Sequence, residues 1–159
     1  MDLAAHFRID WVLVRELAVG PAPRSPEHLD RLNAEGVAAV LSLCAETEAP
    51  PPPGLLERFC CRRLVLPDHR SNRDPLLAEL EQALAVLGEL RGRGAVFVHC
   101  AAGVERSPLV CMGWLVLYRG LSPQEALAYL MQVHPGTNPL PGQLALLSQL
   151  PGRSLSYPD

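Results

Sequence analysis

The chain has 159 residues, of which 48% are hydrophobic and 19% charged, and its formal net charge at pH 7 is −3. This length suits one globular domain, so we expect residues 1–159 to form a single unit that buries roughly two thirds of its unfolded surface. The acidic balance argues against nucleic acid or an acidic membrane surface as the main partner. No apolar run reaches the roughly 18 residues of a membrane span, and residues 1–9 lack the pattern of a signal peptide.

The chain has five cysteines, an odd number, and none belongs to a Cys-x-x-Cys pair. The sequence therefore indicates neither the disulfide framework of a secreted protein nor a zinc site, and we expect the protein in the reducing cytoplasm. Cys60, Cys61 and Cys111 fall in predicted strand or helix positions and are interpreted as packing residues. Cys44 and Cys100 each follow a predicted strand.

The first part of the chain predicts edge strands, a helix and a buried strand. Residues 8–20 are rich in β-forming residues and partly alternate, which favours one or two antiparallel edge strands. Ser25 is a candidate N-cap for a helix that ends at Gly36, and residues 37–43 form an apolar run typical of a buried strand. Four consecutive prolines at 50–53 favour an extended surface loop.

The second part continues this alternation of strands and helices. Residues 55–59 predict a helical turn, residues 60–66 a strand and residues 95–98 a buried strand. Between the two strands, Asp74 is a candidate N-cap of a long helix whose leucines recur at three- and four-residue intervals. Further helices are expected over 107–120, from Ser122 onward and over 141–150.

This order of elements predicts an α/β domain with a central, mostly parallel sheet of four to five strands flanked by helices. Ligands of such sheets bind at the carboxyl ends of the strands. The strand over 95–98 leads directly into His99 and Cys100. We therefore expect the functional site at this point.

The stretch from Cys100 to Arg106, called here the Cys100 loop, has the features of an anion cradle. A tight loop whose N–H groups turn inward, closed by a helix N-terminus, attracts a phosphate-sized dianion. Ala101 and Ala102 keep the rim open, and Gly103 can take the positive φ that such a turn needs. Arg106 can bind two phosphate oxygens with its planar fork, and the same positive surroundings favour a nucleophilic Cys100 thiolate.

The pattern His-Cys-(five residues)-Arg-Ser over residues 99–107 resembles the signature of the cysteine-dependent protein tyrosine phosphatases, in particular the dual-specificity branch. The resemblance implies a phosphatase-type fold and a two-step hydrolysis through a phosphocysteine. It implies that Cys100 is the nucleophile, that Ser107 helps the thiolate leave and that His99 supports the loop. The phosphate would be bound by the loop residues Ala101, Ala102, Gly103, Val104, Glu105 and Arg106.

Such a reaction needs a general acid that protonates the leaving oxygen. Asp68 lies in a polar segment, residues 67–75, called here the Asp68 loop, whose setting and spacing from Cys100 resemble the general-acid loop of dual-specificity phosphatases. Asp68 would donate its proton to the leaving group and then activate the water that hydrolyses the phosphocysteine. Asp74 is the alternative acid, although its position before Pro75 and an apolar helix favours an N-cap.

Cys44 has two interpretations. The segment 43–46 resembles the corresponding segment of tensin-type phosphoinositide phosphatases, whose cysteine can form a disulfide with the nucleophile. We hypothesise that Cys44 traps an oxidised Cys100, with a small buried hydrophobe as the alternative. His134 stands where many dual-specificity phosphatases carry an arginine, a departure that bears on the support of the Cys100 loop. The arginines that either line the mouth of the site or are simply solvated are Arg63, Arg70 and Arg73.

The sequence thus favours a hydrolase that removes phosphate from phosphotyrosine, and from phosphoserine or phosphothreonine, in a phosphorylated protein. A lipid or inositol phosphatase is the nearest alternative, yet Ala101 and Val104 supply no cation and Glu105 would oppose a polyanionic head group. A catalytically silent phosphate-binding module and a rhodanese-type sulfurtransferase are alternatives of other classes. No metal or organic cofactor is implied, because side chains and loop amides cover every step.

Overall fold

The computed structural model describes residues 7–151 and contains one five-stranded sheet. The strands are β1 (Asp10–Leu13), β2 (Leu17–Gly20), β3 (Val37–Ser42), β4 (Cys60–Arg63) and β5 (Ala95–His99). Their order across the sheet is β1-β2-β5-β3-β4. β1 and β2 form an antiparallel hairpin, and every other neighbouring pair is parallel. The predicted α/β class and mostly parallel sheet are confirmed.

Two strand predictions need correction. β2 is not an edge strand, because it pairs with β5 along its other side and all four of its residues are buried. β4 ends at Arg63 rather than at residue 66. The chain beyond it still follows β3, since the amides of Leu64 and Leu66 donate to the carbonyls of Ser42 (2.9 Å) and Leu43 (3.0 Å).

Six helices surround the sheet in the described part of the chain. They are α1 (Pro26–Ala34), α2 (Leu55–Arg58), α3 (Leu77–Arg91), α4 (Arg106–Arg119), α5 (Pro123–Val133) and α6 (Pro141–Leu147). The expected N-cap of α1 is present, because the Ser25 hydroxyl accepts from the His28 amide, and at the expected start of α5 the Ser122 hydroxyl accepts from the Glu125 amide. These side chains satisfy donors that the first helical turn leaves unpaired.

The prediction that Asp74 caps the long helix is wrong. α3 begins three residues later, at Leu77, and Leu76 occupies the N-cap position. The Asp74 carboxylate instead packs against Gly142 in the first turn of α6, so closely that a Cβ at Gly142 would overlap it. Asp74 therefore joins the end of the Asp68 loop to the last described helix.

The sheet separates two apolar layers. Alternate residues of β5 serve both faces, since Val96 and Val98 pack with α3 and α4 whereas Phe97 packs with Leu29 and Leu32 of α1. Helices on both faces of a parallel sheet bury its inner strands, which fits the fully buried β5. Cys111 lies in the larger layer with no exposed surface, as expected for a packing residue.

The strand order places the carboxyl end of β5, where the Cys100 loop begins, at the centre of the sheet. β5 lies between β2 and β3, so Cys100 leaves the centre of the sheet rather than an edge. Among residues 7–151, no helix is long and apolar enough to cross a membrane. The predicted domain 1–159 extends past the described residues at both ends, and the signal-peptide expectation falls partly on residues 1–6, which lie outside them.

Candidate active site

The Cys100 loop starts where the central strand stops and closes on the first turn of α4. His99, the last residue of β5, is paired with Ser42 at the end of β3, and Arg106 is the first residue of α4. Gly103 has a φ of +77°, so the expected positive φ is present. A Cβ there would lie only 2.8 Å from the carbonyl carbon of Gly20, so the backbone of the loop packs directly against the end of β2 at Gly103.

Three carbonyl groups of the Cys100 loop point outwards. Their oxygens accept hydrogen bonds from the surrounding elements: Ala101 from the Ala22 amide (3.1 Å), Gly103 from His134 Nε2 (2.6 Å) and Val104 from the Asn138 amide (2.9 Å). In a planar trans peptide the N–H points away from the carbonyl oxygen. The N–H groups of Ala102, Val104 and Glu105 are therefore turned towards the inside of the loop, where they can bind an anion.

His134, the residue that follows α5, supports the Cys100 loop. Its buried ring donates from Nε2 to Gly103, and its Nδ1 lies 2.6 Å from Asp10 Oδ2 on β1. Arg8 reaches the same carboxylate oxygen at 3.1 Å. Asp10 escaped the sequence analysis because it lies far from the loop along the chain and stands in a strand that reads as an ordinary edge.

The Cys100 thiol is 2% exposed and lies next to a hydroxyl group. Its Sγ is 3.3 Å from the Oγ of Ser107, which is fully buried in the first turn of α4. A hydroxyl at this distance can donate a hydrogen bond to a thiolate. The geometry is therefore compatible with the role that the family resemblance implies for Ser107.

His99 is fixed in one tautomer by its two partners. Its Nδ1 lies 3.0 Å from the Cys100 carbonyl oxygen, which can only accept, so Nδ1 carries the proton. Its Nε2 then accepts from the Ser42 hydroxyl at 2.7 Å. Burial lowers the pKa of His99 to about 4, and the ring is neutral at pH 7. The polar Ser42 in the otherwise apolar stretch 37–43 is the feature of the sequence that could have identified this partner.

Arg106 is held from behind by backbone carbonyls and one carboxylate. Its guanidinium donates to the carbonyls of Leu43 (3.4 Å) and Leu66 (3.2 Å), and its Nη2 donates to Glu48 Oε1 at 2.9 Å. The hydrogen bond from Arg106 lowers the pKa of Glu48. Glu48 follows β3 in an unremarkable polar segment, so nothing in the sequence marked it as the partner of Arg106.

Asp68 lies beside Arg106 and is bound by its own loop. Its Oδ2 is 3.7 Å from Arg106 Nη2, and it accepts from Arg70 Nη2 at 2.9 Å. Its Oδ1 accepts from the Arg70 amide at 3.0 Å and from the Ser71 hydroxyl at 3.3 Å. Burial favours a raised pKa, but the Arg70 hydrogen bonds and the Arg106 charge outweigh it and hold the pKa of Asp68 below its usual range.

The other candidates take different positions around the site. Arg70 and Arg73 line a depression of about 300 Å³ together with Glu48, Asp68 and Arg106. Arg63 instead donates to the Cys44 carbonyl. Cys44 has no exposed surface, and burial raises the pKa of its thiol although Arg106 and Arg63 oppose this.

The remaining loop residues form the rim. Ala102 and Val104 are exposed and Ala101 is half-buried. The Glu105 side chain reaches the Asp68 loop, where its Oε2 lies 3.0 Å from His69 Nδ1. Among residues 7–151, no group of three or more His, Cys, Asp or Glu side chains is arranged to hold a metal ion.

The chain is similar to known phosphatases along most of its length. It is 28% identical over 138 residues to the phosphatidylglycerophosphate phosphatase PTPMT1 of Arabidopsis thaliana, which covers 84% of this chain and 40% of that protein. It is 31% identical to dual specificity phosphatase 28 of Homo sapiens over 71% of this chain and 61% of that protein. The chain thus spans less than two thirds of the length of these relatives.

A solved structure and a family model also relate the chain to phosphatases. The crystal structure of Tk-PTP in its active form has a TM-score of 0.76 and 28% identity to this chain, covering 89% of this chain and 95% of that one. Residues 23–151 match the family model of the dual specificity phosphatase catalytic domain, a range that includes the Asp68 loop and the Cys100 loop. The chain therefore belongs to the dual specificity phosphatase family within the cysteine-dependent protein tyrosine phosphatases.

Proposed function

We propose that this protein hydrolyses phosphomonoesters in two steps through a phosphocysteine. The observation that carries the proposal is the Cys100 loop, whose outward carbonyls turn its N–H groups inward around a buried thiol. Arg106 adds a guanidinium whose orientation is set by Glu48. Inward donors and a fixed cation stabilise the charge that develops on a phosphoryl group during transfer.

In the first step the Cys100 thiolate attacks phosphorus and the ester oxygen leaves with a proton from Asp68. In the second step Asp68, now a carboxylate, takes a proton from the water that attacks the phosphocysteine, and inorganic phosphate leaves. The Ser107 hydroxyl, 3.3 Å from Sγ, donates a hydrogen bond that stabilises the departing thiolate.

The ionised Asp68 of the free protein must gain a proton for this role. A bound phosphate dianion neutralises the charge of Arg106, which otherwise favours the Asp68 carboxylate. The same dianion disfavours a second negative charge nearby and so raises the pKa of Asp68. Substrate binding therefore favours the protonated acid at the moment it is needed.

The test is hydrolysis of p-nitrophenyl phosphate by the wild type and the variants C100S and D68N, with vanadate and EDTA as controls. We expect turnover that vanadate blocks and EDTA leaves intact, that C100S abolishes, and that D68N lowers by about 100-fold or more. Turnover that is retained in C100S contradicts the assignment of Cys100 as the nucleophile. If D68N keeps the turnover of the wild type and D74N loses it, the general acid is Asp74 and not Asp68.

For the substrate we propose a phosphoprotein, with phosphotyrosine accepted in a shallow, open site. Arg106 is the one cation that the Cys100 loop contributes, and Glu48 and Glu105 border it. The arginines at the mouth, Arg70 and Arg73, are already paired with Asp68 and Glu79, so the charge pattern disfavours polyanionic head groups. The similarity to a phosphatidylglycerophosphate phosphatase makes a lipid phosphate the second candidate. Phosphopeptides carrying each phosphorylated residue, compared with vesicles containing phosphatidylglycerophosphate, separate the two. Tight phosphate binding without turnover on either panel would instead indicate a binding module.

We also propose that Cys44 protects the nucleophile from oxidation. Peroxide would convert the Cys100 thiolate to a sulfenic acid, and the Cys44 thiol would displace water from it to form a disulfide. Cys44 is fully buried, and the amide of the preceding Leu43 donates to the carbonyl of His99, the residue before Cys100, at 2.9 Å. Mass spectrometry of peroxide-treated protein should find the Cys44–Cys100 linkage, and C44S should lose activity irreversibly where C60S recovers with thiol. Equal recovery of C44S and the wild type refutes the proposal.

A further inference from the structure

Glu105 makes two hydrogen bonds to a single residue of the Asp68 loop. Its Oε1 accepts from the His69 amide at 3.0 Å, and its Oε2 lies 3.0 Å from His69 Nδ1. A carboxylate facing this nitrogen requires the proton on Nδ1. The contact, called here the Glu105–His69 bridge, joins positions that are 36 residues apart in the chain.

The bridge is held in place from its other side. Gln143 of α6 is 1% exposed, donates from Nε2 to Glu105 Oε1 at 3.4 Å and accepts from the Leu140 amide at 2.8 Å. The Glu105 side chain itself is only 15% exposed. A partly buried carboxylate with three donors has little freedom to move, so His69 meets a fixed partner.

The position of the bridge relates it to catalysis. His69 directly follows Asp68, and Glu105 directly precedes Arg106. One pair of hydrogen bonds therefore links the neighbours of the proposed acid and of the phosphate-binding arginine. The Asp68–Arg106 separation of 3.7 Å depends on the relative position of the two loops that this bridge connects.

We propose that Glu105 is a positioning residue that holds the Asp68 loop against the Cys100 loop and so places Asp68 over the leaving oxygen. A negative side chain in an anion-binding loop weakens phosphate binding by repulsion. Its two bonds to His69 give the carboxylate a function that offsets this cost. The inference rests on the proposed function, because it assumes that Asp68 is the general acid.

The test uses two aryl phosphates that differ in their need for an acid. Phenyl phosphate has a poor leaving group and depends on protonation, whereas 2,4-dinitrophenyl phosphate has a good one and needs little. We expect E105A to lower the ratio of kcat/KM for phenyl phosphate to kcat/KM for the dinitrophenyl ester by at least about tenfold, because the loss of charge repulsion affects both esters alike. E105Q, which keeps one acceptor oxygen for the His69 amide, should recover part of this loss.

Two further measurements and a control of the fold distinguish the possible outcomes. In a D68N background E105A should leave the ratio between the two esters unchanged, because no acid remains to be positioned. Hydrogen exchange of the amides in residues 67–75 should be faster in E105A than in the wild type, whatever the activity. Near-UV circular dichroism of each variant reports whether its fold is intact.

Each contrary result has one meaning. Equal losses on both esters, or unchanged hydrogen exchange in E105A, overturn the positioning role of Glu105 while leaving the proposed function in place. A D68N variant that discriminates between the esters as the wild type does overturns the acid role of Asp68, and the positioning role with it.

Discussion

Asp68 is the residue whose charge state the surrounding arginines control most directly. Arg70 binds both of its carboxylate oxygens, from the backbone amide to Oδ1 and from the guanidinium to Oδ2. R70A removes the hydrogen bonds from the guanidinium to Oδ2 and keeps the one from the backbone amide, so the pKa of Asp68 should rise. Because the acid must be protonated, the high-pH limb of the kcat/KM profile should move to higher pH.

The matched control for R70A is R73A. Arg73 stands in the same loop but pairs with Glu79 through both of its Nη atoms (2.7 and 2.9 Å). R73A should therefore leave the high-pH limb where it is in the wild type. A limb that stays in place in R70A as well would show that this limb does not report Asp68.

Glu48 should matter for activity because it holds the phosphate-binding arginine. It accepts from Arg106 Nη2 at 2.9 Å and from Arg70 Nη2 at 3.0 Å, so it sets the direction of the phosphate-binding guanidinium. E48Q places an amide N–H against that guanidinium and should lower kcat/KM by about 100-fold. E46Q, two residues earlier and 71% exposed, should behave as the wild type. Similar kinetics of E48Q and E46Q contradict this role.

The site residues that the sequence predicted lie close together along the chain, whereas those it missed lie far along the chain from the residues they contact. Cys100, Arg106 and Ser107 were predictable because one short loop and one helix start bring them together. The partners that were missed lie elsewhere in the chain: Asp10 in β1, Ser42 in β3 and Glu48 in the segment after β3. Only the strand order brings them next to the loop. No local pattern encodes such contacts.

At the scale of elements, the error at Asp74 has a clear physical cause. Asp-Pro before a leucine-rich helix matches an N-cap in the sequence. In the fold, however, the carboxylate faces Gly142 in α6, and α3 begins only at Leu77. A contact between elements replaced the local cap, which single-sequence patterns cannot anticipate.

The contact between the Cys100 loop and β2 should make Gly103 intolerant of any side chain. G103A adds a Cβ 2.8 Å from the Gly20 backbone at a φ of +77°, so it combines a steric clash with backbone strain. We expect loss of turnover and of vanadate binding, and a fall in the free energy of unfolding greater than the roughly 1–2 kcal/mol of the strain alone.

Gly120 provides the control for that substitution. Its φ is +71°, yet apart from its chain neighbours no atom of residues 7–151 lies within 4 Å of an added Cβ. G120A should therefore cost about 1 kcal/mol from strain and leave turnover intact. Chemical denaturation of both variants measures the difference, and equal losses of stability would argue against the steric clash.

For the whole molecule, His99 predicts a dependence of stability on pH. Its folded pKa of about 4 lies below the ordinary value of 6.5, so the unfolded chain binds a proton that the native state excludes. The stabilisation is therefore complete above pH 6.5 and is lost as the pH falls towards 4. Integrated over this window, the loss is about 3 kcal/mol.

The measurement is urea denaturation between pH 7 and pH 4. Carboxylates with lowered pKa values, such as Glu48 and Glu79, lose their contribution mainly below their ordinary value of 4.5, so they act at the lower end of this window. H99Q cannot titrate there and should be less stable at pH 7 but nearly flat between pH 6.5 and 5. A wild-type curve as flat as that of H99Q would refute a neutral, buried His99.

The strand order also has a consequence for biosynthesis. β2 and β3 are made early, but each keeps an open edge until β5 fills the space between them. A ribosome that has not yet passed residue 99 therefore holds an unfinished sheet in which the inner edges of β2 and β3 are exposed as well as the outer ones, a state prone to mispairing. Cys100 is the next residue to be added, so no nascent chain presents the reactive thiol before the strand that completes the sheet has been made.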